Sequence, residues 1–408
     1  MSGMRTVEEQ LAVVLAAVRT RPAVARTLDE AIGFTLTEPA RAQNPVPVFD
    51  NSAMDGFAVR FADVATASDA HPAVLRVVAD VPAGSAEDPP LARGTAARIM
   101  TGAPVPAAAD TVVPFEDTVG GLADSLGDIR VVRAPAAEGA HVRRAGADAA
   151  VGAVVLEPGT LLGARQLAAL ASVGIARVAV APRPRVAIVS TGAELVPPGE
   201  PLARGQIPES NGLLLAGLVA EAGAEVVFRE VVGDDGAGPA EAVARATALG
   251  LDAVIFSGGV SAGAYEPVRQ GLSDAMEFVK VAMQPGKPQG FGATDAGMLL
   301  FGLPGNPVSV AVSFEVLVRP ALLRLQGRRD IHRPRRRLAA GVGWRTPPGR
   351  RQYLPAVIDA EGLVHPATRG GSGSHLAVGL GAATAYAIVA AETEQVSVGD
   401  LIDVLELS

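Results

Sequence analysis

Between residues 184 and 326 the chain alternates short apolar runs with longer helix-forming stretches. The runs are PRVAIVS, AEVVFREVV, DAVIFSGG and AGMLLFGL; the stretches are GLLLAGLVAEAG, GPAEAVARATALG, EPVRQGLSDA and PVSVAVSFEVLVRPALLRL. A strand joined to the next through a helix runs parallel to it, so the pattern predicts a parallel sheet with helices on both faces. A chain of 408 residues outgrows a single core, and further domains are expected around this one.

Residues 6–19 read as a helix, with Thr6 and Glu9 forming a capping box and Leu11, Val14, Leu15 and Val18 on one face. From about 46 to 144, apolar runs broken by Gly and Pro predict a β-rich domain. Residues 145–182 read as a linking region that ends in a helix around Arg165–Ala171. Beyond the basic, Pro-broken HRPRRR, the tail from about 329 predicts a small β-barrel or sandwich.

Composition removes several function classes. Lys+Arg is 35 against Asp+Glu 43, a net charge of −8, which argues against a nucleic-acid binder working by phosphate neutralisation. The arginine run therefore reads as a solvated linker. There are no cysteines, hence no disulfide, thiolate metal site or cysteine nucleophile. Five histidines show no HxxxH or HExxH spacing, which argues against zinc. No apolar stretch reaches the roughly 20 residues of a membrane span. Acids precede the first apolar run, where a signal peptide needs bases, so a soluble cytoplasmic protein is expected. Only Lys280 and Lys287 are lysines among the 35 bases, seven positions apart. In an arginine-rich chain such survivors mark places where a compact ammonium is wanted.

Three loops fall at strand ends of the α/β region, the edge where open sheets bind ligands. They are Ser190-Thr191-Gly192-Ala193-Glu194, the run Ser257-Gly258-Gly259-Val260-Ser261-Ala262-Gly263, and Leu303-Pro304-Gly305-Asn306-Pro307. The first two offer hydroxyls and glycines that let backbone N–H groups approach an anion. In the third, Asn306 suits an N-cap and Pro307 the first helical position, leaving free N–H groups for an oxyanion. Asp234 and Asp235 follow a strand end on the same edge; beside phosphate loops they either hold Mg2+ or cap the next helix. Lys280 and Lys287 flank Gln284-Pro285-Gly286, where an ammonium suits a pyrophosphate or tetrahedral oxyanion. A separate polar cluster, PVFDNSAMDGF at 47–57, holds Asp55; like Thr101 and Asp148 it serves chemistry or simply builds turns.

FDNSAMDGFA, RIMTGAPVP, RRAGAD, STGAEL, SGGVSAG, PGKP, LPGNPVS and GSGSH occur in that order from residue 49 to residue 375. This series resembles the MoeA family, the molybdopterin molybdenumtransferases, whose eukaryotic relatives include the gephyrin E domain. The resemblance implies a multidomain α/β plus β fold in an elongated homodimer. Its parts are a linking domain (1–46 and 145–182), an inserted β-rich domain (47–144), a molybdopterin-binding α/β domain (183–328) and a C-terminal β-barrel domain (329–408). It implies a cytoplasmic transferase of molybdenum cofactor biosynthesis: molybdate and adenylylated molybdopterin give the cofactor and AMP, with Mg2+. A molybdopterin adenylyltransferase is the implied protein partner. The family's site lies between the α/β domain of one subunit and the inserted domain of the other. By similarity Asp55, Thr101, Asp148, Glu194, Asp234, Lys280 and Ser374 are catalytic positions, and Asp55, Asp234 and Glu194 metal-holding ones. Ser190, Thr191, Gly192, Ser257, Gly258, Gly259, Ser261, Lys287, Pro304, Gly305, Asn306 and Pro307 are substrate-binding positions.

The chain departs from the family pattern in three places. Ala193 stands where Asp is usual, Gln284 where a base is common, and Ala264-Tyr265-Glu266 replaces a more acidic run. A gephyrin-like scaffold, or a paralogue that holds the pterin without turnover, is the alternative reading. Retention of Asp55, Asp148, Glu194 and Asp234 together favours an enzyme.

Overall fold

The computed structural model describes residues 3–407 except 124, 235, 262, 264, 265 and 369–376. Helix α1 (Val7–Ala17) begins at Thr6, whose hydroxyl accepts the Glu9 N–H while the Glu9 carboxylate accepts the Thr6 N–H, the expected capping box. Strands β1 (Val24–Thr27) and β2 (Thr35–Leu36) come next. A five-stranded sheet follows: β3 (Gly56–Val59), β4 (Ala73–Val81), β5 (Thr95–Ile99), β6 (Thr111–Pro114) and β7 (Asp128–Val131), in the order β6-β3-β5-β4-β7. The chain then returns through α2 (Ala164–Ser172) to β8 (Arg177–Ala181), which lies between β1 and β2. The β-rich segment is thus inserted between parts of one small sheet.

The α/β region contains β9 (Arg185–Thr191), α3 (Asn211–Glu221), β10 (Glu225–Val232), α4 (Ala237–Ala248), β11 (Ala253–Ser257) and α5 (Pro267–Gly271). It continues with β12 (Met276–Lys280), β13 (Pro288–Ala293), β14 (Leu299–Leu303), α6 (Pro307–Ser313) and α7 (Arg319–Leu325). The sheet order is β10-β9-β11-β14-β13-β12. Strands β9, β11 and β14 are almost wholly buried, as a strand covered on both faces must be. Alternate residues feed two cores. Val186, Ile188, Ile255 and Phe301 pack under α3 and α6, and Val14 of α1 joins them. Ala187, Val189, Val254 and Phe256 pack under α4 and α5.

Two expectations need correction. The sheet is parallel only across β10, β9, β11 and β14; β13 and β12 are antiparallel. The connections 281–287 and 294–298 are too short for a helical crossover, so only antiparallel pairing can close them. The single helix expected over 307–325 is interrupted by a π turn at Phe314–Val318. Pro320 lacks an N–H and its ring crowds the carbonyl four residues back, and a widened turn relieves both.

In the C-terminal part, β15 (Arg335–Ala339), β16 (Arg351–Ile358), β17 (Ala385–Val389) and β18 (Leu401–Glu406) form a sheet in the order β16-β17-β18-β15. The short stretch Met283–Gln284 adds to its edge, pairing in parallel with Arg351–Gln352. The C-terminal sheet is thereby tied to a loop of the α/β region. No helix among the described residues is long and apolar enough to cross a membrane.

Ile188 is fully buried in β9. Ile188→Ala is expected to cost about 2–5 kcal/mol, through lost transfer energy and the cavity left behind. Guanidinium unfolding, followed by a probe in the α/β region, measures it.

Candidate active site

Ser190 pairs with Ser257, and Ser257 with Leu303, so β11 and β14 end flush and β9 one residue beyond. The loops that follow them open on one cleft of about 640 Å3. Thr191, Gly192 and Glu194 come from the first loop, Ser257 to Ser261 from the second, and Pro304 to Pro307 from the third. Asp234 follows β10 into the same cleft, and Gln284 to Pro288 enter from the β12–β13 connection. Glycine is required where these loops crowd. Gly258 has φ +94, and a Cβ there would lie 2.7 Å from Thr191 Oγ1.

A buried polar network supports the floor. Glu209 is 7% exposed and accepts the Ser190 hydroxyl at 2.9 Å and the Gly212 N–H at 2.6 Å. The Ser257 hydroxyl donates to Ser190 Oγ at 3.3 Å, and Asn211 Nδ2 donates to the Gly305 carbonyl at 2.7 Å. The start of α3 is therefore bonded to the end of β9 and to the third loop, and through Ser190 to Ser257. Sequence reasoning missed Glu209 and the role of Asn211. The available signal was an acid just before a helix, where free N–H groups attract a carboxylate. Ser190, expected to touch substrate, is 1% exposed and its hydroxyl is committed to Glu209, because the pleat turns it beneath the cleft.

Two of the acids on the cleft wall, Asp234 and Glu266, are held by backbone donors. Asp234 accepts the Ala193 N–H at 3.3 Å, while the N-cap of α4 is Gly236 with no side-chain cap, so Asp234 is not the helix cap. Glu266 accepts the N–H groups of Ser261 (2.8 Å) and Gly263 (3.0 Å) and so folds the glycine loop. Asn306 occupies the N-cap of α6 with Pro307 at its start, but its side chain makes no cap hydrogen bond and lines the cleft. Gln284 carries no charge, yet its amide oxygen accepts Arg350 Nη1 at 2.5 Å, which brings a guanidinium to that lip.

The other expected positions are divided. Lys287 lines the cleft; Lys280 lines an adjoining hollow. No described residue before Thr191 lines the cleft. Asp55 Oδ1 accepts the Thr101 N–H (2.7 Å) and the Thr101 hydroxyl (2.8 Å), so these two meet on the exposed surface of the inserted part. Those bonds, the backbone one first, hold the Asp55 carboxyl below its usual range. Asp148 is exposed, and its N–H donates to the Val46 carbonyl. Ser374 and Asp235 lie outside the described residues.

Fold and cleft together define a multidomain α/β protein with a cleft at the carboxyl edge of a sheet, lined by glycine loops and a helix start of the kind suited to phosphate or another oxyanion. Residues 5–174 match the MoeA N-terminal region (domain I and II), 187–324 a probable molybdopterin binding domain, and 337–407 the MoeA C-terminal region (domain IV). Molybdopterin molybdenumtransferase 2 of Mycobacterium tuberculosis is 45% identical over 87% of this chain and 88% of that protein. Molybdopterin molybdenumtransferase 1 of the same species is 37% identical over 99% of both. The crystal structure of a molybdopterin biosynthesis MoeA protein from Pyrococcus horikoshii superposes over the whole of both chains, with TM-score 0.83 and 32% identity. The chain belongs to the MoeA family of molybdopterin molybdenumtransferases.

Thr101→Val removes one of the two donors to Asp55. The Asp55 pKa is expected to rise toward the ordinary value yet stay below it, since the stronger backbone donor remains; carboxyl NMR titration reads this. The sign is that of a depressed folded pKa: the stability it contributes is present above the unfolded value and is lost as pH falls through the folded one. The variant therefore loses part of that contribution and keeps the part supplied by the Thr101 N–H.

Proposed function

We propose that the chain inserts molybdate into adenylylated molybdopterin and releases AMP. The observation that carries this reading is the cleft itself, in which Gly258, Gly259, Lys287 and the Asn306–Pro307 helix start stand beside Glu194 and Asp234. Substrate and co-substrate are a phosphoanhydride and a tetrahedral dianion. Glycine-loop N–H groups, a helix start and an ammonium hold either one and stabilise the negative charge that develops on cleavage. Glu194 and Asp234 stand where carboxylates orient the attacking water and accept its proton.

Mg2+ belongs to the same reading. No group of three His, Cys, Asp or Glu side chains suited to a metal exists among the described residues. Mg2+ needs only one or two carboxylates beside its waters and the substrate phosphates, so Glu194 and Asp234 fit it while Asp55 stands apart. Bound there, the ion would neutralise charge on the phosphoanhydride.

Asp55, Thr101 and Asp148 do not line the cleft of their own chain, which supports a homodimer in which they complete the cleft of the other copy. The division at 46/47, 144/145, 182/183 and 328/329 is part of this reading, supported by separate apolar clusters in the linking, inserted, α/β and C-terminal parts. So are a cytoplasmic site of action and a molybdopterin adenylyltransferase as the supplier of substrate.

Purified chain given adenylylated molybdopterin is expected to release AMP only when molybdate is added, with Asp234→Asn about 100-fold or more slower. Release indifferent to both contradicts the reading. Asp55→Asn and Glu194→Gln, each inactive alone, are expected to recover activity when unfolded, mixed and refolded together, because mixed dimers contain one intact site. Absence of recovery removes the shared site.

A further inference from the structure

Beside the cleft, and sharing Val260, Ser261, Lys287 and Pro288 with it, lies a second hollow of about 660 Å3. Its walls come from α5, the end of β12 and the N-terminal segment. The Arg5 N–H donates to the Lys280 carbonyl and the Ala282 N–H to the Arg5 carbonyl, so that segment extends the sheet beyond β12. Four cations line the hollow: Arg5, Arg269, Lys280 and Lys287. The one acid there, Glu277, is already paired with Arg5 at 2.7 Å.

Arg269 has no carboxylate partner among the described residues. Its guanidinium donates to the Ser261 carbonyl at 3.4 Å and lies 5.5 Å from the Phe278 ring centre, which holds it in place. Lys280 pairs across the hairpin with Pro288, so the chain's only two lysines are diagonal neighbours, and neither has a salt bridge among the described residues. Like charges gathered without a counter-charge repel, and a chain of net charge −8 could have neutralised them. The carboxylates Glu194, Asp234 and Glu266 belong to the main cleft alone. One continuous depression therefore has an acidic compartment and a basic one, each large enough for half of a two-part ligand.

We propose that the basic hollow is a phosphate subsite of this cleft, in which Arg269 and Lys280, with Lys287 at the boundary, hold the phosphoryl group of the nucleotide half. The assignment rests on the transferase reading and adds Arg269 to it. AMP, adenosine and inorganic phosphate, titrated calorimetrically into the full chain and into Arg269→Gln, Arg269→Lys and Lys280→Gln, test it. The chain is expected to bind AMP, with phosphate competing, more weakly as salt rises and more tightly than adenosine. Arg269→Gln and Lys280→Gln are expected to weaken AMP binding about tenfold or more, with adenosine unchanged and Arg269→Lys largely restored. Unchanged circular dichroism establishes that the variants fold. AMP affinity equal to wild type in both Gln variants overturns the subsite; if wild type still releases AMP with molybdate, the transferase reading survives that result. AMP that phosphate does not displace also overturns it.

Discussion

Three parallel strands that end in register set the geometry of everything around the cleft. Because β11 and β14 stop at paired residues and β9 one residue beyond, their loops leave the sheet side by side. The antiparallel hairpin β12–β13 then brings its own connection, with Lys287, to the same edge. Adjacent ends force backbone against backbone, and the positions of closest approach are glycines. Gly258 against Thr191 is one; Gly259, where a Cβ would lie 3.0 Å from the Val268 backbone nitrogen, is another. The burial that holds the strands in register is thus also what spaces the ligand-facing groups.

Electrostatics then divides labour within the depression. Anionic ligands and anionic side chains share a small space, which is tolerable only if the side chains are themselves held. Asp234 takes an N–H from Ala193, Glu266 two from its own loop, and Glu209, below the floor, a hydroxyl and a helix N–H. These hydrogen bonds fix where the carboxylates point. Arg350 reaches the Gln284 lip from the C-terminal part, so a charge missing from one position is met by a neighbour distant in the chain.

Much of this was legible in the residues, and the failures have physical causes. The alternation over 184–326 revealed four strands and their helices because buried parallel strands are continuously apolar. Strands β12 and β13 escaped because Glu277 and Lys280 interrupt one, while Gly290 and Gly292 thin the other. The glycine loops were legible as meeting on one edge, but whether Ser190 faces the cleft or the floor depends on a pleat no pattern fixes. Glu209 carries no motif; its role arises only when α3 returns beside β9. Asp55 and Thr101 were each noticed, yet 46 positions separate them and only the fold of the inserted sheet joins them.

Hydrogen–deuterium exchange of the full chain, with and without adenylylated molybdopterin, tests the central claim most directly. If the strand ends form the substrate site, protection on binding falls on peptides covering 191–194, 258–266, 284–288 and 304–309, with the inserted-part peptides around Asp55 and Thr101 joining them if the site is shared between two copies. Protection confined to other surfaces, with those loops exchanging as in the free chain, would contradict the account.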